Sequence, residues 1–207
     1  MIIARNSFIG KIRTAIDDIA TAATDSFSDN VNDELWQATL HAATELSLEL
    51  PIDLLEPSTE NLSGTVSANF GSVTAELPSN YLRFVSLDIT DCAGIVRTLM
   101  EGNSDAELMQ RSVWGRGTAT KPKVILENIG DSLKRLSWWP GGEAHNTALL
   151  QYIAYPELGT VPSDPNITCA IRQETQQFLI YRAASIFFEG KKEDVIADKF
   201  RTLSTNY

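Results

Sequence analysis

The period of the hydrophobic pattern changes twice along this chain, and that limits what it can fold into. Residues 6 to 24 place Ile9, Ile12, Ile16, Ile19 and Ala23 three and four apart, the spacing of one helical face. Asn6 or Ser7 is available to cap the start. The polar run "TDSFSDN" then breaks the pattern. Asn32 reads as the cap of a second helix, with Asp33 and Glu34 in a first turn where the helix dipole favours anions, and Pro51 as its stop. Leu35, Trp36, Thr39, Leu40, Ala43 and Leu46 or Ser47 line one face of it.

After Pro57 the period drops to two. Val66, Ala68, Phe70, Val73 and Ala75 alternate in a Ser/Thr/Val-rich stretch punctuated by Gly64 and Gly71, which is hairpin composition. Residues 81–89 and 94–100 predict two further strands joined around Asp91 to Gly94. Asn103 or Ser104 caps a short helix, "SDAELMQRSV", and "WGRGTATKP" reads as an exposed loop. "KVILENI", "DSLKRLSWWP" and "NTALLQYIAYP" are strand-like runs separated by Gly130-Asp131 and Gly141-Gly142, the layout of a meander. The helical period then returns. Asp164-Pro165 opens a long helix with Ile167, Ile171, Thr175, Phe178, Leu179, Arg182, Ala183, Ile186 and Phe187 on one face. Gly190 ends it, and Val195, Ile196, Lys199, Phe200 and Leu203 mark another. The expectation is an α+β chain: a bundle of about four helices with an inserted antiparallel β-sheet and a short helix. Its parts are an N-terminal helical pair at 1–57, the insertion at 58–157 and C-terminal helices completing the bundle at 158–207.

Catalytic chemistry is hard to assemble from these residues. His41 lies mid-helix beside alanines and His145 in a Gly-rich turn, neither in a metal-binding pattern. Asp17 and Asp18 are adjacent on a helix and so face different ways. "GRG" at 115–117 and "GG" at 141–142 extend to no phosphate-binding motif. Lys191-Lys192 follow a helix end, where the dipole favours cations. Cys92 and Cys169 form no CxxC or Cys/His cluster, and read as small buried side chains in a reducing compartment. No enzyme, cofactor or metal is expected. A formal charge of −10 and pI near 4.7 argue against a surface that grips nucleic-acid phosphates. "MIIARNSF" lacks the apolar core of a signal peptide, and no apolar run reaches membrane-spanning length, so a soluble cytosolic product is expected. Adjacent Trp138 and Trp139 on a strand point to opposite faces. With Trp114 and Arg116 they are the candidate subunit or partner interface, because Trp and Arg dominate interface hot spots.

Leu77-Pro78-Ser79-Asn80-Tyr81-Leu82-Arg83, Trp139-Pro140 and Tyr152-Ile153-Ala154-Tyr155-Pro156 stand here in a fixed order. Between and after them come "SDAELMQRSV", a loop ending in "KP", and the segment led by Pro165. Over about residues 30–205 this order resembles the head-to-tail adaptor (connector, or neck ring) proteins of tailed bacteriophages, of the podovirus or crAss-like type. The resemblance implies a structural virion subunit in a ring of twelve copies, assembled in the bacterial host cytoplasm and carried in the virion neck. Its implied partners are itself, the portal protein above and other neck or tail ring proteins, with genomic DNA passing through the channel unbound and no membrane involved. Carboxylates facing such a channel would repel DNA. The candidates are Asp17, Asp18, Asp25, Asp29 and Asp33 near the first helices, and Glu189, Glu193 and Asp194 near the last helix break. The alternatives are a phage assembly factor or a nucleic-acid-associated regulator outside the virion, or a phage hydrolase.

Overall fold

A computed structural model describes residues 1–19, 29–67, 71–101, 109–110, 112, 115–129, 133–159 and 165–205. The chain divides into two units, Met1–Glu56 with Tyr155–Tyr207, and Pro57–Ala154.

In the first unit, α1 (Arg5–Ile19), α2 (Asp29–Glu49) and α4 (Asp194–Thr205) all pack on α3 (Gln176–Gly190). Ile9, Ile12 and Ile16 of α1 are buried at the spacing the sequence predicts, as are Leu35, Trp36, Ala43 and Leu46 of α2. Thr39 and Ser47 are buried too, and each hydroxyl donates to the carbonyl four residues back, at 2.8 and 2.6 Å. That satisfies a polar group that would otherwise be costly inside a core. Phe188 and Phe200 stack with ring centroids 5.8 Å apart and planes within 4°, joining α3 to α4. Arg182 of α3 donates through Nε to Glu45 of α2 at 2.7 Å.

The same unit holds a three-stranded sheet in the order β1 (Ile2–Ala4), β11 (Asn166–Thr168), β10 (Glu157–Leu158), all antiparallel. This corrects the long helix expected from Pro165. Ile167 and Ile171 are four apart, which suits a helix. Ile167, Cys169 and Ile171 are also two apart and all buried; Ile167 pairs with Ile3 of β1, the Cys169 N–H donates to the Met1 carbonyl and Ile171 bridges to Leu55, so the period of two prevails. A short turn at Gln173–Thr175 follows, and the helix starts only at Gln176. The second helix begins earlier than expected, at Asp29, so Asn32 does not cap it. Its side-chain oxygen instead accepts from Arg13 Nη2 at 2.5 Å.

The second unit contains two sheets. One has the order β2 (Ser58–Ser63), β9 (Thr147–Ala154), β5 (Tyr81–Ile89). The other has β3 (Thr65–Val66), β4 (Val73–Glu76), β8 (Leu133–Trp139), β7 (Lys123–Ile129), β6 (Met100–Glu101). Leu62, Leu87, Ile89, Leu150 and Tyr152 of the first share one core with Val73, Val124, Leu136 and Trp138 of the second. Facing sheets that exclude water between their inner sides are the usual way to bury alternating strands. The chain steps between sheets at Gly64. A Cβ there would lie 2.3 Å from Val73 Cγ1 and 2.9 Å from Thr74 O and Trp138 Cη2, so only glycine lets the corner close.

A bundle of about four helices with one inserted antiparallel sheet is therefore overturned: the protein is mixed, with three sheets among the described residues, one of them in the helical unit. The β6–β7 pair is parallel. The expected meander reduces to β7–β8, because β9 leaves its predecessor to lie between β2 and β5. Alternation says which face of a strand is buried; which strands become neighbours depends on how the faces close around one core. The strand expected over 94–100 reduces to a bridge from Val96 to Leu87 and the start of β6 at Met100, and Ile95 is exposed. The short helix expected over 104–113 lies mostly outside the described residues, with Met109 and Gln110 helical.

Candidate functional site

Helices α2 and α3 leave an open cavity of about 590 Å³ between them. Glu34, Ala38 and His41 of α2 stand at helical spacing on one wall, and Ile186, Phe187 and Lys191 form the other. The floor is apolar and its rim charges are already matched. Lys191 Nζ is 2.5 Å from Glu34 and 5.5 Å from the Phe187 ring centroid, His41 Nε2 is 3.5 Å from Glu45, and Arg5 pairs with Asp33. Such a groove accepts apolar side chains. Among the described residues its lining holds no Ser, Thr or Cys, and His41 and Glu34 are each already beside a charged partner. The stripe Glu34–Ala38–His41 is visible in the sequence, beside the core face, but only its pairing with Ile186 and Phe187 makes a cavity of it.

Cys92 and His145, unrelated in sequence, come within 4.0 Å. The geometry does not make them a catalytic dyad. His145 Nδ1 lies 2.8 Å from the Thr90 carbonyl, which accepts its proton and leaves that nitrogen unable to serve as base toward the thiol. Burial, and then the charges of Asp91 and Asp88, push the Cys92 thiol up, which keeps it protonated and weakly nucleophilic. Cys169 is buried and likewise pushed up, chiefly by burial. No cluster of three or more His, Cys, Asp or Glu that could hold a metal occurs among the described residues. No helix there is long and apolar enough to cross a membrane.

The residues marked as an interface are placed unequally. Trp138 and Trp139 are both buried within their own unit, at 0% and 4% exposure. Trp138 faces the core, and its Nε1–H donates to the His145 carbonyl at 2.8 Å. Arg116 is exposed, in a loop that is tied down: Gln110 accepts from the Gly117 N–H at 2.9 Å, and Lys123 Nζ donates to the Gly115 carbonyl at 2.6 Å. Trp114 lies outside the described residues.

Among the candidate channel acids, Asp17 and Asp18 on α1 and Glu193 and Asp194 at the start of α4 are exposed and carry no ion pair among the described residues. Asp33 is paired with Arg5, and Glu189 with Arg201. Burial pushes the Glu189 carboxyl up, but hydrogen bonds from Arg201 and Ser185 and the charges of Arg201 and Arg182 outweigh it, so it sits below the usual carboxylate range. Asp25 lies outside the described residues, as does the side chain of Asp29. No protein-family model and no curated protein matches the chain.

Proposed function

We propose that this protein is a structural subunit of a head-to-tail adaptor ring in the neck of a tailed bacteriophage. It docks below the portal, contributes to the wall of the DNA exit channel and offers a surface to tail proteins. The order of the motifs supports this reading, from Leu77-Pro78 through Trp139-Pro140 to Tyr152–Pro156. Leu77-Pro78-Ser79-Asn80 forms the turn into β5, and Tyr152–Ala154 closes β9 against it.

Four exposed acids without an ion pair among the described residues, Asp17, Asp18, Glu193 and Asp194, give the ring its proposed channel chemistry. Exposed carboxylates raise the energy of phosphates nearby and let DNA pass without sticking. Arg116 is the proposed contact with a neighbouring protein. The partners are further copies of the chain, twelve in the ring, together with portal and tail proteins.

Imaging the neck of purified virions at a resolution that traces a chain tests the proposal. A cyclic ring of this chain beneath the portal is expected. Its absence from the particle would sink the reading and leave an assembly or regulatory role in the infected cell.

A further inference from the structure

The strand that runs from Ser58 to Val66 serves two sheets, and the handover opens a wedge. The Gly64 N–H donates to the Asn146 carbonyl at 2.8 Å. Even-numbered residues of β2 therefore turn their backbone groups toward β9, and odd-numbered residues turn theirs the other way. Beyond Gly64 that other side belongs to β4: Thr65 pairs with Thr74, and the Ser67 N–H donates to the Ser72 carbonyl at 2.8 Å. Continued backwards, the same register would set Ser63 across from Glu76. No such pair forms, because the chain has left for the other sheet.

Thr59, Asn61 and Ser63 thus present a row of N–H and C=O groups with no ladder partner among the described residues. Glu76 does the same from the far wall, since the neighbouring Leu77 N–H is spent on Lys134 of β8 at 3.0 Å. Between these walls lies a cavity of about 540 Å³, lined by Glu60, Asn61, Ser63, Glu76 and Arg135.

Its free charge has one sign. Arg135 is engaged by Glu127, with Nε at 2.8 Å and Nη2 on the same oxygen. Glu60 and Glu76 carry no ion pair among the described residues. We infer that the wedge takes up an extended strand of a partner protein bearing Lys or Arg. That strand completes the β2 ladder and sets its cations against Glu60 and Glu76. Because β2 runs on into β3, which opposes β4, the guest lies parallel to one wall and antiparallel to the other. A second copy of β2 is the poorer occupant: it would bring Glu60 opposite or diagonal to its own counterpart, and like charges so placed are destabilising. The inference stands apart from the adaptor reading.

The test uses the full chain, isotope-labelled, with a short threonine- and valine-based peptide carrying lysine on both of its faces, and its counterpart with glutamate for lysine. Amide exchange at Thr59, Asn61 and Ser63 is expected to slow with the lysine peptide and not with the other. Asn61→Pro removes an outward donor and none of the bonds to β9, a substitution an edge strand tolerates; it is expected to weaken binding roughly tenfold. Glu60→Gln with Glu76→Gln, which leaves the backbone alone, is expected to weaken it comparably. Absent protection, equal protection by the glutamate peptide, or unaltered binding in both variants would overturn the proposal. Protection that grows with the concentration of the chain alone would overturn it in favour of a second copy.

Discussion

Gly64 and Trp138 meet at the sheet-to-sheet corner, and each constrains the other. A methyl group at Gly64 would overlap Val73, the Thr74 carbonyl and the Trp138 ring at once, and two of those three are rigid. Gly64→Ala is therefore expected to destabilise the protein by about 1–3 kcal/mol, the usual penalty for overpacking, read as a lowered denaturant midpoint. Trp138 fills the opposite side of the same contact with no exposure. Trp138→Ala is expected to cost about 3–5 kcal/mol through the cavity it leaves. Trp138→Phe keeps much of the packing, strands the His145 carbonyl and is expected to cost about 1 kcal/mol more than packing alone. Both losses should appear in unfolding experiments on the isolated chain. Two adjacent tryptophans on a strand signal an interface only if one ring reaches the surface. Neither does, and from the sequence nothing distinguishes a covered outer face from a bare one.

At the scale of elements, the last two helices are joined by both aromatic stacking and charge. Glu189 ends α3, and its carboxylate receives Arg201 of α4 and the Ser185 hydroxyl. Since its folded-state pKa is lowered, the stabilisation it brings is present above the ordinary carboxylate range and is lost as pH falls through the lowered value. Glu189→Gln is expected to flatten the acid limb of a stability-versus-pH profile while leaving its neutral and alkaline parts nearly parallel to those of the parent. The helices themselves were legible: Ile9, Ile12 and Ile16 on α1, and Phe187 and Phe200 on α3 and α4, follow a period of 3.6 that buried neighbours reinforce. The segment from Asn166 to Ile171 was not. A four-residue gap between isoleucines fits a helix face and every second place on a strand equally well, and only the distant Ile2–Ala4 partner decides between them. The β2–β4 wedge was hidden for a related reason. "STENLSGTV" shows alternation and a glycine, but not that the two halves would pair in different sheets.

For the whole molecule, net charge gives the sharpest expectation. A chain at −10, with exposed acids on α1 and at the start of α4, should not retain duplex DNA even at low salt, where cationic surfaces bind most tightly. A mobility-shift titration checks this. Salt-dependent retention would favour the regulator reading over a channel wall. Replacing Asp17, Asp18, Glu193 and Asp194 by their amides is expected to leave thermal stability within about 0.5 kcal/mol of the parent, as for other exposed surface positions. Measured on assembled particles, the same change should slow DNA ejection if these acids line the channel.

The middle unit starts and finishes on one ladder, Ser58 across from Tyr152, whereas α1 and α2 have α3 as their common support. On a ribosome those two situations diverge. The central sheets have all their strands once residue 154 has emerged, and can set before synthesis ends. The first two helices, made before the insertion, wait through it for residues 176–190, on which both pack. Helices α1 and α2 are thus expected to find their support only after the sheets made between them and α3, and to stay open to chaperones and proteases in that interval.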